Sequence, residues 1–108
     1  MTDYKRIRAL NDAFRQSMSG GKLVTTASLS NHPDLGTILE RVRNYADFGE
    51  NNDPYGEHDF GSLMIHGEPD RIFWKIDYYD KSMSEGSLDP SDPSLTTRVL
   101  TIMRASEY

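Results

Sequence analysis

The sequence predicts a single α+β domain over residues 1–108, an antiparallel sheet of about four strands with two helices packed on one of its faces. Apolar residues recur at steps of three and four in two segments, 3–18 and 33–48, which is the spacing of one helical stripe. Elsewhere they alternate or cluster in short runs bounded by Gly, Pro and Asp, as strands do, and the resulting order is α-β-α-β-β-β. Two single-stripe helices and a terminal meander bury the most apolar surface when both stripes lie on the same sheet face.

The first helix spans 3–18. Thr2 or Asp3 can cap it, Ile7, Leu10, Phe14 and Met18 form its stripe, and Ser19-Gly20-Gly21 stops it. Lys5, Arg6, Arg8, Asp12 and Arg15 occupy the other faces and are expected in water. Residues 22–29 are rich in β-branched types and read as a strand. Asn31-His32-Pro33-Asp34 opens the second helix, with Leu35, Ile38, Leu39, Val42, Tyr45 and Ala46 as its stripe and Gly49 as its end. After the polar turn Glu50–Glu57 comes a strand over 58–66, then a turn at Gly67-Glu68-Pro69-Asp70 and the strongest strand of the chain, 71–79, pairing as a hairpin. There Ile72, Trp74, Ile76 and Tyr78 face one way, and Phe73, Lys75, Asp77 and Tyr79 the other. Trp74 belongs to the core. Residues 80–94, with Asp89-Pro90 and Asp92-Pro93, read as a long exposed loop, and 95–104 as the last strand.

Composition excludes much. Lys and Arg number 12 against 17 Asp and Glu, for a formal charge of −5. A coat for nucleic acid needs a basic surface, so no direct nucleic-acid binding is expected. No apolar run reaches the roughly 18–20 residues of a membrane span, and the first residues lack a signal-peptide core. There is no cysteine, hence no disulfide framework or thiolate site, and a cytoplasmic protein without a cofactor is the simplest expectation.

The densest polar segment is Asp53-Pro54-Tyr55-Gly56-Glu57-His58-Asp59-Phe60-Gly61. Carboxylates and an imidazole are metal-ligand and proton-shuttle groups. In an extended strand, however, Glu57 and Asp59 fall on one side and His58 on the other, so a metal would need ligands from Asp77, Asp80 or His66. No metal site is assigned. The plainer reading is a turn that Asp53 caps and Pro54 and Gly56 bend, with Glu57 and Asp59 holding backbone or arginine partners. The second candidate is the strand face with Lys75, Asp77 and Tyr79, and Asp80 just beyond: either a solvated face with cross-strand pairs, or a recognition surface, since exposed tyrosines make rigid amphipathic contacts. As a partner-binding set the sequence offers Asp53, Tyr55, Glu57, His58, Asp59, Lys75, Asp77, Tyr79 and Asp80. Ser17, Ser19, Ser62 and Ser82 lack a His-Asp arrangement, Ser19-Gly20-Gly21-Lys22 lacks phosphate-loop spacing, and His32 and His66 stand alone.

Three segments taken together, Asn52-Asp53-Pro54-Tyr55-Gly56-Glu57-His58-Asp59-Phe60-Gly61, Phe73-Trp74-Lys75-Ile76-Asp77-Tyr78-Tyr79-Asp80 and Thr97-Arg98-Val99-Leu100-Thr101-Ile102-Met103, resemble the signature of a small bacterial family of uncharacterised function. Its members occur in alphaproteobacterial genomes, plasmids and phages. Leu10-Asn11-Asp12-x-Phe14-Arg15 and Gly86-Ser87-x-Asp89-Pro90-x-Asp92-Pro93 also fit. The resemblance carries no reaction and no catalytic residues. Its mobile-element setting implies accessory proteins that disarm host defences, such as anti-CRISPR or anti-restriction inhibitors. The expectation is therefore a non-enzymatic acidic protein-binding module whose partner is a protein such as a CRISPR effector complex, met through acidic groups that compete with phosphate. Two alternatives stand beside it: a metal-dependent or acid–base enzyme using Glu57, His58 and Asp59 with Asp77 or Asp80, and a structural or regulatory homodimer.

Overall fold

The computed structural model describes residues 3–108. Helix α1 runs Tyr4–Ser17, and the Asp3 carboxylate caps it by accepting the Arg6 N–H at 3.1 Å. Thr2, the other capping candidate, lies outside the described residues. The helix closes on Met18 in the left-handed conformation, φ 54°, two residues before the first glycine. Gly21 serves another purpose: a Cβ there would come within 2.8 Å of the Phe14 ring and 2.6 Å of the Arg98 carbonyl, so the chain passes between them only without a side chain.

The strand expected over 22–29 divides into β1, Lys22–Thr25, and a single helical turn α2, Ala27–Ser30. The Thr26 N–H makes a last ladder bond to the Ile102 carbonyl, while its own carbonyl accepts the N–H groups of Leu29 and Ser30. That reversal drops Leu29 into the core, where it is fully buried. Helix α3, Leu35–Arg43, also stops short of the expected Gly49, with Asn44 closing onto the Glu40 carbonyl. Beyond it the chain leaves the helical path so that the rings of Tyr45 and Phe48 meet Trp74 edge-on at 5.4 and 6.1 Å. Aromatic burial outweighs one more turn of exposed helix.

Strands β2 (Phe60–Leu63), β3 (Ile72–Tyr79) and β4 (Thr97–Arg104) form the expected antiparallel meander, followed by a 3-10 turn, Ala105–Glu107. The sheet order is β1-β4-β3-β2. Here the expectation of an antiparallel sheet needs correction, because β1 lies parallel to β4 and the sheet is mixed. No hairpin joins those two strands, so no turn dictates their sense. β1 is instead oriented by the need to deliver α2 and α3 to the face that α1 already covers.

In the β3–β4 register Trp74 pairs with Ile102 and Lys75 with Thr101. Ile72, Trp74, Ile76, Leu100 and Ile102 therefore share the covered face, where they meet Phe14, Leu29, Ile38 and Val42. Trp74 is fully buried, as its pattern implied. The other face presents Phe60, Phe73, Lys75, Asp77, Tyr79 and Thr101, half-buried, with no helix on it among the described residues. No helix among the described residues is long and apolar enough to cross a membrane.

Candidate functional site

The nine residues of the expected partner-binding set separate into two groups. The first, on the segment 53–59, is bolted to α1 from within. Arg15, placed in water by the sequence reading, is only 2% exposed. Its Nε donates to the Val42 carbonyl at 3.1 Å, one Nη to the Tyr45 carbonyl at 3.2 Å, and the other to Asp12 at 3.0 Å. The guanidinium also sits over the Phe48 and Trp74 rings at 5.4 and 5.2 Å, which suits a delocalised cation. Asp12 then meets His58 Nδ1 at 2.9 Å. The His58 ring stacks on Phe48 at 3.7 Å, its backbone N–H donates to Asp53 Oδ1, and its Nε2 lies 3.6 Å from Asp53 Oδ2.

The alternation argument for His58 fails for a local reason. With φ 55° its backbone is left-handed, not extended, and the ring turns toward α1. Asp53 caps the turn as the plainer reading held, although the N–H that it takes belongs to His58.

A second chain of bonds runs beside the first. Asn11 Nδ2 donates to the Glu57 carbonyl at 3.0 Å and to the Tyr78 hydroxyl at 2.8 Å, and that hydroxyl donates to the Glu57 carboxylate at 2.8 Å. Arg98 Nε donates to Asn11 Oδ1 at 2.7 Å, and the cation lies over the Tyr78 ring. Burial pushes the Tyr78 hydroxyl well above the usual tyrosine range and lowers Arg98. Burial also raises Asp59, with the charges of Glu57, Asp53 and Asp77 adding to the effect. Tyr55 alone of this group stands out, at 81% exposed.

The second group lies at the open sheet face. Lys75 and Asp77 pair side by side at 2.9 Å, and the hydrogen bond from Lys75 to Asp77 raises the lysine. Tyr79 ends the row, paired with Thr97 and bridged to Gly86. Phe60 and Phe73 touch edge-on at 5.1 Å, and Tyr108 lies edge-on against both, at 6.1 and 5.8 Å. Asp80 turns away to brace its own loop. It accepts the Ser82 hydroxyl at 2.8 Å and the Ser84 N–H at 3.1 Å, and these bonds hold it below the usual carboxylate range.

Chemically, the interior group is a scaffold. The carboxylates of Asp12, Asp53 and Glu57 are taken up by His58, Arg15 and Tyr78, and no three His, Asp or Glu side chains among the described residues are placed to hold a metal ion. A groove of about 640 Å³ opens between α3 and β2, lined by Arg41, Tyr45, Ser62, Met64 and Arg71 among others, and none of the nine residues lines it.

Sequence reasoning missed Asn11, Asp12, Arg15, Phe48 and Arg98. A signal was present for two of these. Asn11 and Arg15 fall on the buried stripe of Ile7 and Phe14, and position on the stripe outweighs polarity when the groups find partners.

No curated protein and no solved structure matches the chain. One family does. Its match spans β1 through the 3-10 turn, including the segments 52–61, 73–80 and 97–103, and leaves α1 with its Asn11, Asp12 and Arg15 ahead of it. With residues 22–107 matched, the chain belongs to the family described as Protein of unknown function (DUF3768).

Proposed function

We propose that this protein is a non-enzymatic protein-binding module whose contact surface is the open face of its sheet. One observation carries the reading: β3 and β4 bury one side under three helices, while the other has no helix on it among the described residues and holds aromatic residues at one end and the part-exposed Lys75–Asp77 pair at its centre, above the buried Val99 and Met103. Aromatic rings beside part-exposed charges are the composition of interface cores and rims. Asp53, Glu57, His58 and Asp59 serve this surface from behind by holding the segment that leads into β2, whereas Lys75, Asp77 and Tyr79 make contact.

The partner class follows from charge and from the resemblance. A chain of net charge −5 is steered toward basic surfaces. The mobile-element setting that the resemblance implies makes a nucleic-acid-handling defence complex, such as a CRISPR effector, the partner of choice. In a gel-filtration or interferometry assay with purified effector complexes, binding at low salt is expected to weaken as salt rises and to fall about tenfold or more for Tyr79→Ala or Asp77→Lys. No association at micromolar concentration in low salt would sink the effector reading. Binding unchanged by both substitutions would remove the sheet face from it.

A further inference from the structure

The two edges of the sheet are finished differently. Beside β3, Asp59 and Gly61 turn their peptide groups inward, as the bond from Ile76 N–H to the Asp59 carbonyl shows, so those of Phe60, Ser62 and Met64 point outward. Toward the C-terminal end of β2 these outward groups are largely occupied. The Tyr45 hydroxyl accepts the Ser62 N–H at 3.3 Å, Arg71 donates to the Ser62 carbonyl at 3.4 Å, and Arg41 donates to the Met64 carbonyl at 3.2 Å. An edge covered over that half resists pairing with another strand along its length.

β1 has no such cover. The Thr26 N–H bonds to the Ile102 carbonyl, and alternation along a parallel ladder then turns Lys22 and Val24 toward β4 and leaves the peptide groups of Leu23 and Thr25 facing out. Among the described residues nothing bonds to those outward groups. Leu23 and Val24 are 40% and 44% exposed.

We propose that β1 is a dimerisation edge, and that its occupant is β1 of a second copy, running antiparallel about a two-fold axis through Val24. The strand is its own complement. Leu23 falls opposite Thr25 of the other copy, and Thr25 opposite Leu23, so every outward N–H and C=O of both strands is used. Val24 then meets its own counterpart at a non-hydrogen-bonded position, with Cα atoms about 4.5 Å apart. Lys22 falls opposite Thr26, so no like charges are opposed. The axis stands perpendicular to the sheet, the two four-stranded sheets become one, and their open faces lie side by side. So short a pairing buries less than the roughly 800 Å² per partner of a standard interface, and the dimer is weak and concentration-dependent.

The chain has no cysteine, which makes the register directly readable. Under mild oxidation Val24→Cys is expected to form a disulfide-linked dimer at least about tenfold faster than Lys22→Cys, whose thiols would sit about 13 Å apart in the same pairing. Equal rates would overturn the register and with it the proposal. Light scattering supplies a second readout: the mass is expected to rise from 12.3 kDa toward twice that value with concentration. Leu23→Pro, which removes an outward donor and leaves the β4 ladder whole, is expected to hold the mass at 12.3 kDa while Trp74 keeps its native fluorescence. A wild-type chain that stays monomeric to millimolar concentration would refute the proposal. So would a Leu23→Pro chain that is folded and dimerises as well as wild type.

Discussion

Replacing Arg15 by methionine keeps the apolar stem of the side chain and deletes its donors. In the structure those donors serve the carbonyls of Val42 and Tyr45, just where α3 ends, and the Asp12 carboxylate. A buried polar group left without a partner costs about 1–3 kcal/mol. Only the Tyr45 carbonyl is left so, since the Val42 carbonyl keeps the Tyr45 N–H at 3.2 Å, and Asp12, which is part-exposed and keeps His58, adds little. Methionine recovers some packing against Phe48 and Trp74, so the net destabilisation is expected to be about 2 kcal/mol, a sizeable part of the roughly 5–15 kcal/mol that holds a small domain together. Trp74 is the sole tryptophan and is fully buried, so urea unfolding followed by its fluorescence reads the change without a label. For a urea dependence of about 1.5 kcal/mol per molar, the midpoint should fall by about 1.3 M with the slope unchanged. Arg15→Lys keeps the charge but reaches fewer of the three acceptors and should fall between the two. A loss below about 0.5 kcal/mol for Arg15→Met would mean that water replaces the guanidinium at the Tyr45 carbonyl, and the reasoning from burial would fail.

Gly61→Ala should destabilise by about 1–3 kcal/mol or more, because the new methyl would collide with the Trp74 indole and the Tyr45 ring, and thermal unfolding measures this. Burial holds the folded pKa of Asp59 above its ordinary 3.8. The stability its proton confers is thus complete below that pH and is lost as pH rises through the folded pKa. Asp59→Asn, neutral throughout, is expected to raise Tm at neutral pH and to lose that advantage below pH 3.8; an unchanged or lowered Tm at neutral pH would contradict this. Lys75→Ala and Asp77→Ala should each shift stability by less than about 1 kcal/mol in urea melts, since an ion pair this exposed is screened; a larger loss would make the pair a structural element and not a contact surface.

How far the sequence could be read depended on whether a residue's role was local. The alternation of Ile72, Trp74 and Ile76 against Phe73, Lys75 and Asp77 placed the core and open faces of β3 correctly, because two-residue periodicity is a property of the strand itself. Helix ends were less legible. α3 was expected to reach Gly49 but stops at Arg43, where the Val42 carbonyl and that of Tyr45 just beyond find the guanidinium of Arg15, a residue from another helix. His58 was misjudged for the same kind of reason. Its left-handed backbone is held by the Asp53 side chain and its ring by Asp12 and Phe48, partners no local pattern announces.

Composition and periodicity alone determined that the chain is acidic, α+β, built on two amphipathic helices and a strong hairpin, with Trp74 inside and Lys75, Asp77 and Tyr79 on the opposite face. Only the tertiary structure decided that β1 runs parallel to β4, that Arg15 and Asn11 lie inside, and that one sheet edge is capped over half its length while the other is bare. The reason is physical. Backbone geometry and side-chain spacing act between neighbours in the chain, but whether a polar group can be buried, or a strand edge left open, depends on partners that folding brings from tens of residues away.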